Sequence, residues 1–190
     1  PFDAYMFVVK TWLGSFHRQK SSHYIEYLLE KNGYRKLQYQ IDAVTQALSI
    51  IEDHGGVILA DVVGLGKSII ASLIANRLGK RGIVICPPGI IGDDAAGSGW
   101  KKYMQQFELY DWEVRSSGDL DGIMEFIKNT EGIEVIVVDE AHRYRNSSTE
   151  TYEKLSMICR GKTVILLTAT PFNNSPADIL SMLRLFIVPK

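Results

Sequence analysis

Gly64, Gly66, Lys67 and Ser68 stand together in the stretch ILADVVGLGKSII, residues 58–70. Glycines at alternate positions let backbone N–H groups converge on an anion. A lysine beside them reaches terminal phosphate oxygens, and a hydroxyl one residue on suits a divalent cation. The general phosphate-loop pattern also asks for glycine five residues before Gly66, where this chain has Asp61. The competing reading is a tight strand-to-helix turn with a surface lysine.

A second constellation is the stretch EVIVVDEAHR, residues 134–143, an apolar run that ends in Asp139 and Glu140. At the carboxyl end of a parallel strand such side chains face the ligand crevice. Phosphoryl chemistry needs one acid to hold Mg²⁺ and another to orient the attacking water. Asp139 suits the first role and Glu140 the second. A third stretch, LLTATPFNN, residues 166–174, puts Thr168 and Thr170 at the end of the next apolar run. Taken singly, each stretch also fits a solvated turn or an ordinary strand end. Their order favours a nucleotide site.

The elements that must hold these residues alternate. Short apolar runs at 57–60, 83–86, 112–116, 134–139 and 163–168 read as strands buried on both faces. Between them, 67–78, 100–107, 120–129 and 151–160 have helical spacing, and 175–186 reads as a last helix. Ser175 is placed as its N-cap, with Pro176 and Asp178 in its first turn. Alternation of this kind implies a parallel sheet covered by helices on both faces. Two helices precede it: one from Ser21 or Ser22 to Gly33, the other over 37–54 and stopped by Gly55 and Gly56. The Gly/Ala/Asp-rich stretch from Gly89 to Gly99 reads as a mobile loop.

The 190 residues suffice for one domain with a core, and 46% hydrophobic with 23% charged residues is ordinary for a globular fold. No apolar run is long enough to span a membrane. The two cysteines, Cys86 and Cys159, have no metal-ligand spacing and read as buried free thiols in a reducing compartment. With a net charge of −1 there is no global basic field, so a polyanion would need a local patch. Lys101 and Lys102 are the best such pair, against a solvated face as the alternative.

ILADVVGLGKS, VIVVDEAHRYRN and VILLTATPFNN together resemble motifs I, II and III of the Swi/Snf-type ATPases of helicase superfamily two. That family carries Asp where the general phosphate loop has Gly, which accommodates Asp61. KLQYQIDAV resembles its Q-like motif, and IVICPPGII followed by WKKYMQQF resembles motif Ia. The resemblance runs from about Arg35 to Phe186. It implies ATP and Mg²⁺ as cofactors. The nucleotide would be held by Gln40, Asp61, Gly64, Leu65, Gly66, Lys67, Ser68 and Ile69, and the metal by Ser68 and Asp139. His142, Thr168 and Thr170 would couple hydrolysis to movement. Pro87 and Pro88 would line a nucleic-acid track. Val62 and Ser68 depart from the family's usual Glu and Thr, and residues 89–99 look like an insertion within motif Ia.

The expectation is therefore a three-layer α/β, RecA-like P-loop NTPase domain with a mostly parallel central sheet over residues 34–190. A helical segment over 1–33 precedes it and is read as the possible end of a preceding domain. The expected activity is ATP hydrolysis driving translocation on double-stranded DNA. A strand-unwinding DNA or RNA helicase and a nucleotide-binding interaction module stay open as alternatives. The chain ends after motif III, so a second RecA-like domain is expected to complete the site, and this part alone to turn over poorly. The expected setting is the cytoplasm of a prokaryote, or the nucleus of a eukaryote. No membrane partner is expected, and oligomeric state is left open.

Overall fold

The computed structural model describes residues 18–60, 66–95, 97–169 and 176–187. Helices α1 (Arg18–Lys31) and α2 (Gln38–His54) lead into strand β1 (Gly56–Ala60). Then follow α3 (Lys67–Leu78), β2 (Gly82–Cys86), α4 (Gly99–Gln106), β3 (Glu113–Ser116) and α5 (Leu120–Asn129). The chain continues through β4 (Val135–Val138), α6 (Glu150–Cys159), β5 (Thr163–Thr168) and α7 (Pro176–Leu183). Short 3-10 turns occupy Pro88–Ile90 and Ala141–Tyr144.

The five strands form one sheet in the order β1-β5-β4-β2-β3, and every pair is parallel. The apolar runs look unalternated because both faces are covered, yet each strand divides its residues by the strand period of two. Val84, Cys86, Val135, Val137, Ile165 and Leu167 join a core with α1, α2, α3 and α4. Ile83, Ile85, Ile136, Val138, Val164 and Leu166 join a second core with α5, α6 and α7. The fold is thus three layers, as expected. Each fully buried aliphatic side chain in these cores contributes about 1.5–3 kcal/mol.

The topology also opens the crevice. The first two crossovers, α3 and α4, run on one face, and α5 and α6 run on the other. Chain leaving β1 therefore turns to one face, while chain leaving β4 and β5 turns to the other. Such a divergence at the carboxyl ends of parallel strands is where ligands sit in open α/β sheets.

Several expectations need correction. Helix α1 is described from Arg18 onward, so Ser21 and Ser22 lie inside it and not at its start. The preceding Arg18, Gln19 and Lys20 are straight-chain helix formers, which extend the helix backwards. Strand β3 is only half-buried, because it is the sheet edge and pairs on one side with β2. Residues 89–99 are organised where described. The Lys101 N–H donates to Ile91 O at 2.9 Å, and the Asp93 carboxylate accepts from Gly97 N–H at 2.9 Å. Ser175 lies outside the described residues.

Helix α1 packs into the first core through Ile25, Leu28 and Leu29. Its Tyr24 hydroxyl donates to Glu108 at 2.8 Å, and Asn32 donates to the Gln106 carbonyl at 2.8 Å. Among the described residues no helix is long and apolar enough to cross a membrane.

Candidate functional site

Gly66 occupies the N-cap of α3 with φ +79°, a left-handed conformation that favours glycine. A Cβ there would stand 3.1 Å from Gln40 Nε2 and 3.6 Å from Ile69 Cδ1. The loop end and α2 therefore meet at a residue without a side chain. Lys67, Ser68 and Ile69 open α3, each half-buried. Among the described residues the first turn holds no acidic side chain and no side-chain cap, and the positive end of the helix dipole there suits an anion. Asp61, Gly64, Leu65 and Thr170 lie outside the described residues.

Gln40 sits on α2 among Ile41, Val44, Ala47 and Ile51, and only 5% of it is exposed. Its Oε1 is buried and has no hydrogen-bond partner among the described residues. A buried orphan acceptor costs about 1–3 kcal/mol, so an amide held this way suits a ligand that donates to it.

Asp139 follows β4, in the interior of the sheet, and is 8% exposed. Its N–H donates to Ile85 O at 2.9 Å, which continues the ladder with β2 to the site. Its Oδ1 accepts from Glu140 N–H at 2.8 Å, and its Oδ2 accepts from Trp100 Nε1 at 2.9 Å. Burial pushes its pKa up. The two N–H donors oppose that rise, the Glu140 charge adds to it, and the positive charge of Lys67 opposes it. Lys67 and Asp139 thus share one electrostatic environment.

Glu140 holds φ +54°, the left-handed region that a side chain rarely enters. This turns the chain from β4 into the 3-10 turn and leaves the Glu140 carboxylate partly exposed, 3.2 Å from His142 Nδ1. The approach lacks the angle of a hydrogen bond. The 3-10 turn carrying His142 packs on β5 and α7. Thr168, the last residue of β5 and the register partner of Ala60, is buried, and its Oγ1 has no partner among the described residues. Gln40, Gly66, Lys67, Asp139, Glu140, His142 and Thr168 therefore gather around the carboxyl ends of β1, β5 and β4.

Lys101 and Lys102 do not join that group. Lys101 pairs with Asp94 of the preceding loop, and Lys102 is half-exposed on α4. Lys101 also lines an open groove of about 420 Å³ with Met104, Trp112 and residues of β3. This groove lies at the sheet edge opposite β1 and is distinct from the crevice.

Trp100 was legible in the sequence only as an apolar residue of α4. Its link to Asp139 spans 39 residues, and the only local signal is a tryptophan directly after a glycine-rich loop.

Among the described residues no cluster of three or more His, Cys, Asp or Glu side chains could hold a metal. A single carboxylate such as Asp139 can hold a cation whose other ligands are phosphate oxygens and water. This is the donor set Mg²⁺ favours. The residues present fit ATP with Mg²⁺.

Known proteins resemble this chain in sequence and in fold. The family model "SNF2-related domain" matches residues 114–190. The chain is similar to "Uncharacterized ATP-dependent helicase YqhH" of Bacillus subtilis, 32% identical over 152 residues, covering 70% of this chain and 26% of that protein. Mouse "Chromodomain-helicase-DNA-binding protein 1-like" is 29% identical over 185 residues, covering 80% of this chain and 19% of that protein. The chain therefore spans about a quarter or less of these relatives. Among solved structures, the "Sulfolobus solfataricus SWI2/SNF2 ATPase core in complex with dsDNA" superposes with a TM-score of 0.59 at 20% identity. That match covers 78% of this chain and 35% of the other, and it supports the fold.

Proposed function

We propose, from the premise that this chain is a Swi/Snf-type member of helicase superfamily two, that it is the ATP-binding half of a motor that translocates on double-stranded DNA. One observation supports the hydrolytic reading most. A buried carboxylate, Asp139, is fixed by two N–H donors beside Lys67, and the next residue, Glu140, is held in a rare backbone conformation.

The described residues take their roles from their places, and Asp61, Gly64, Leu65 and Thr170 take theirs from the family resemblance. Gln40 takes the adenine edge with its orphan amide oxygen. Asp61, Gly64, Leu65, Gly66 and Ile69 shape the loop, and the backbone N–H groups at the start of α3 receive the phosphates. Lys67 neutralises the terminal phosphate oxygens, and Ser68 and Asp139 hold the cation. Bound Mg²⁺ supplies charge neutralisation on the phosphoryl group. Glu140, its backbone left-handed and its carboxylate partly exposed beside His142, orients the attacking water. His142, beside Glu140, passes the state of the site through the 3-10 turn to Thr168 and Thr170. The second motor half supplies the remaining transition-state charge. Lys101 and Lys102 are the residues of this half proposed to meet the nucleic acid.

The test is Mg·ATP turnover by the protein at its natural length, alone and with duplex DNA, single-stranded DNA or RNA. Duplex DNA is expected to stimulate turnover selectively, without release of a labelled strand. Stimulation by single strands or RNA alone would replace the translocase with an unwinding helicase. ATP binding without turnover on any polymer would leave a nucleotide-gated interaction module.

A further inference from the structure

The contact between Trp100 and Asp139 joins α4 to the crevice. Trp100 is 2% exposed, and its Nε1 donates to Asp139 Oδ2 at 2.9 Å. Its ring is held on one side by Tyr103, edge to face at 5.7 Å between centroids. The backbone just before it is fixed by a clasp between two glycines. A Cβ on Gly99 would stand 2.6 Å from Gly92 N and 2.6 Å from Ile90 O. A Cβ on Gly92 would stand 2.1 Å from Ser98 O. Both contacts are to backbone, which cannot swing aside. The Lys101 N–H donates to Ile91 O at 2.9 Å and closes the same clasp. The start of α4, and with it the indole, is therefore pinned.

The carboxylate receives the consequence. Its Oδ1 is held by Glu140 N–H at 2.8 Å and its Oδ2 by the indole. With one donor on each oxygen, rotation of the carboxylate about its last torsion is blocked. A carboxylate offers about four acceptor sites, so the remaining lone pairs are presented in a fixed direction. Groups that hydrogen-bond a metal ligand in this way orient it for the ion.

We propose that Trp100 is a positioning residue for Asp139, its indole N–H holding the carboxylate in the orientation that takes a divalent cation with ATP. The inference rests on Asp139 being a cation ligand, as proposed above. It separates Trp100 from a tryptophan that is merely buried, whose N–H would need any acceptor. It also makes the clasp of Ile90, Ile91, Gly92, Ser98 and Gly99 part of the nucleotide site's framework.

The test uses Mn²⁺ as the probe ion, because free Mn²⁺ is counted directly by electron paramagnetic resonance in the presence of ATP. Four forms of the chain are compared: the natural sequence, Asp139→Ala, Trp100→Phe, and a form with β-(3-benzothienyl)alanine at position 100. The last keeps the shape of the ring and replaces only the N–H by sulfur. Removal of the N–H is expected to weaken Mn²⁺ binding roughly tenfold or more, with metal-free ATP binding unchanged, while the carboxylate oxygen left without its donor lowers the melting temperature of both position-100 forms. Unchanged Mn²⁺ affinity in the benzothienyl form, alongside a loss in Asp139→Ala, would overturn the role of Trp100 alone. Equal affinity in Asp139→Ala and the natural sequence would overturn Asp139 as a cation ligand, and the inference with it.

Discussion

Gly66 meets Gln40 with its bare Cα: a Cβ at that position would stand 3.1 Å from Gln40 Nε2. The relationship ties α2 to the start of α3, and the Gln40 amide oxygen is buried with no partner among the described residues. Gly66→Ala should therefore act twice. The left-handed backbone costs a side-chain-bearing residue roughly 1–2 kcal/mol, which lowers the melting temperature by roughly 2–8 °C. ATP binding should fall as well, because Gln40 must move. A calorimetric melt and an ATP titration on one sample check both. Unchanged melting would show that the loop relaxes around the methyl group.

Glu140 carries strain that a functional site retains. At φ +54° a glycine is comfortable and a glutamate is not. Glu140→Gly should raise the melting temperature by a few degrees, on the order of 1 kcal/mol, and abolish turnover. Glu140→Gln keeps the backbone cost. It should lower turnover of the natural-length protein by about 100-fold or more, with ATP binding retained. Full turnover by the glutamine variant would remove Glu140 from its proposed role.

Some of this was legible in sequence and some was not, for physical reasons. Helix α3 was expected over 67–78 and spans those residues, because its apolar positions are closed off by Gly66 and Gly79. The five strands were legible because strands covered on both faces must be apolar throughout. The half-burial of β3 was not, since only the order of strands makes β1 and β3 the two edges. Trp100 was missed for a similar reason: a hydrogen bond to Asp139 across 39 residues imposes no local periodicity. The contacts within residues 89–99 were not legible, because small and acidic residues suit a loose loop and a glycine clasp equally well. Gln40 stood out only through family resemblance, although a glutamine beside the Ile41, Val44, Ala47 and Ile51 stripe is itself a signal.

Glu108 ties the turn after α4 to α1, accepting from Lys31 Nζ at 2.7 Å and from the Tyr24 hydroxyl at 2.8 Å. The hydrogen bond from Lys31, then that from Tyr24, holds its carboxyl below the usual range. With a depressed folded-state pKa, its contribution is present above the unfolded value of about 4.5 and is lost as pH falls through the folded value. Glu108→Gln should melt lower than the natural chain at pH 7, with the gap closing below pH 4.5. Because Glu108 is only partly buried and its partner Lys31 is exposed, the effect is small and should shrink in salt. Thermal melts from pH 7 downward read it. A gap that persists at low pH would assign the effect to packing.

Lys101 and Lys102 should differ in DNA binding. Lys101 is paired with Asp94, whereas Lys102 stands half-exposed one residue on. If Lys102 meets a backbone phosphate, Lys102→Ala lowers the slope of log K against log salt by about 1. Lys101→Ala should change it less. A slope untouched by either substitution would place the nucleic-acid track elsewhere.

The central claim is that ATP binds where α3 begins, between Gln40 and Asp139. Calorimetric titration of Mg·ATP and of Mg·triphosphate into the natural chain, Lys67→Ala and Gln40→Ala tests it most directly. The account predicts that Lys67→Ala weakens both ligands by about tenfold or more, the loss of one charge-assisted contact. Gln40→Ala should weaken ATP and leave triphosphate unchanged. ATP binding of equal strength in all three chains would contradict the account.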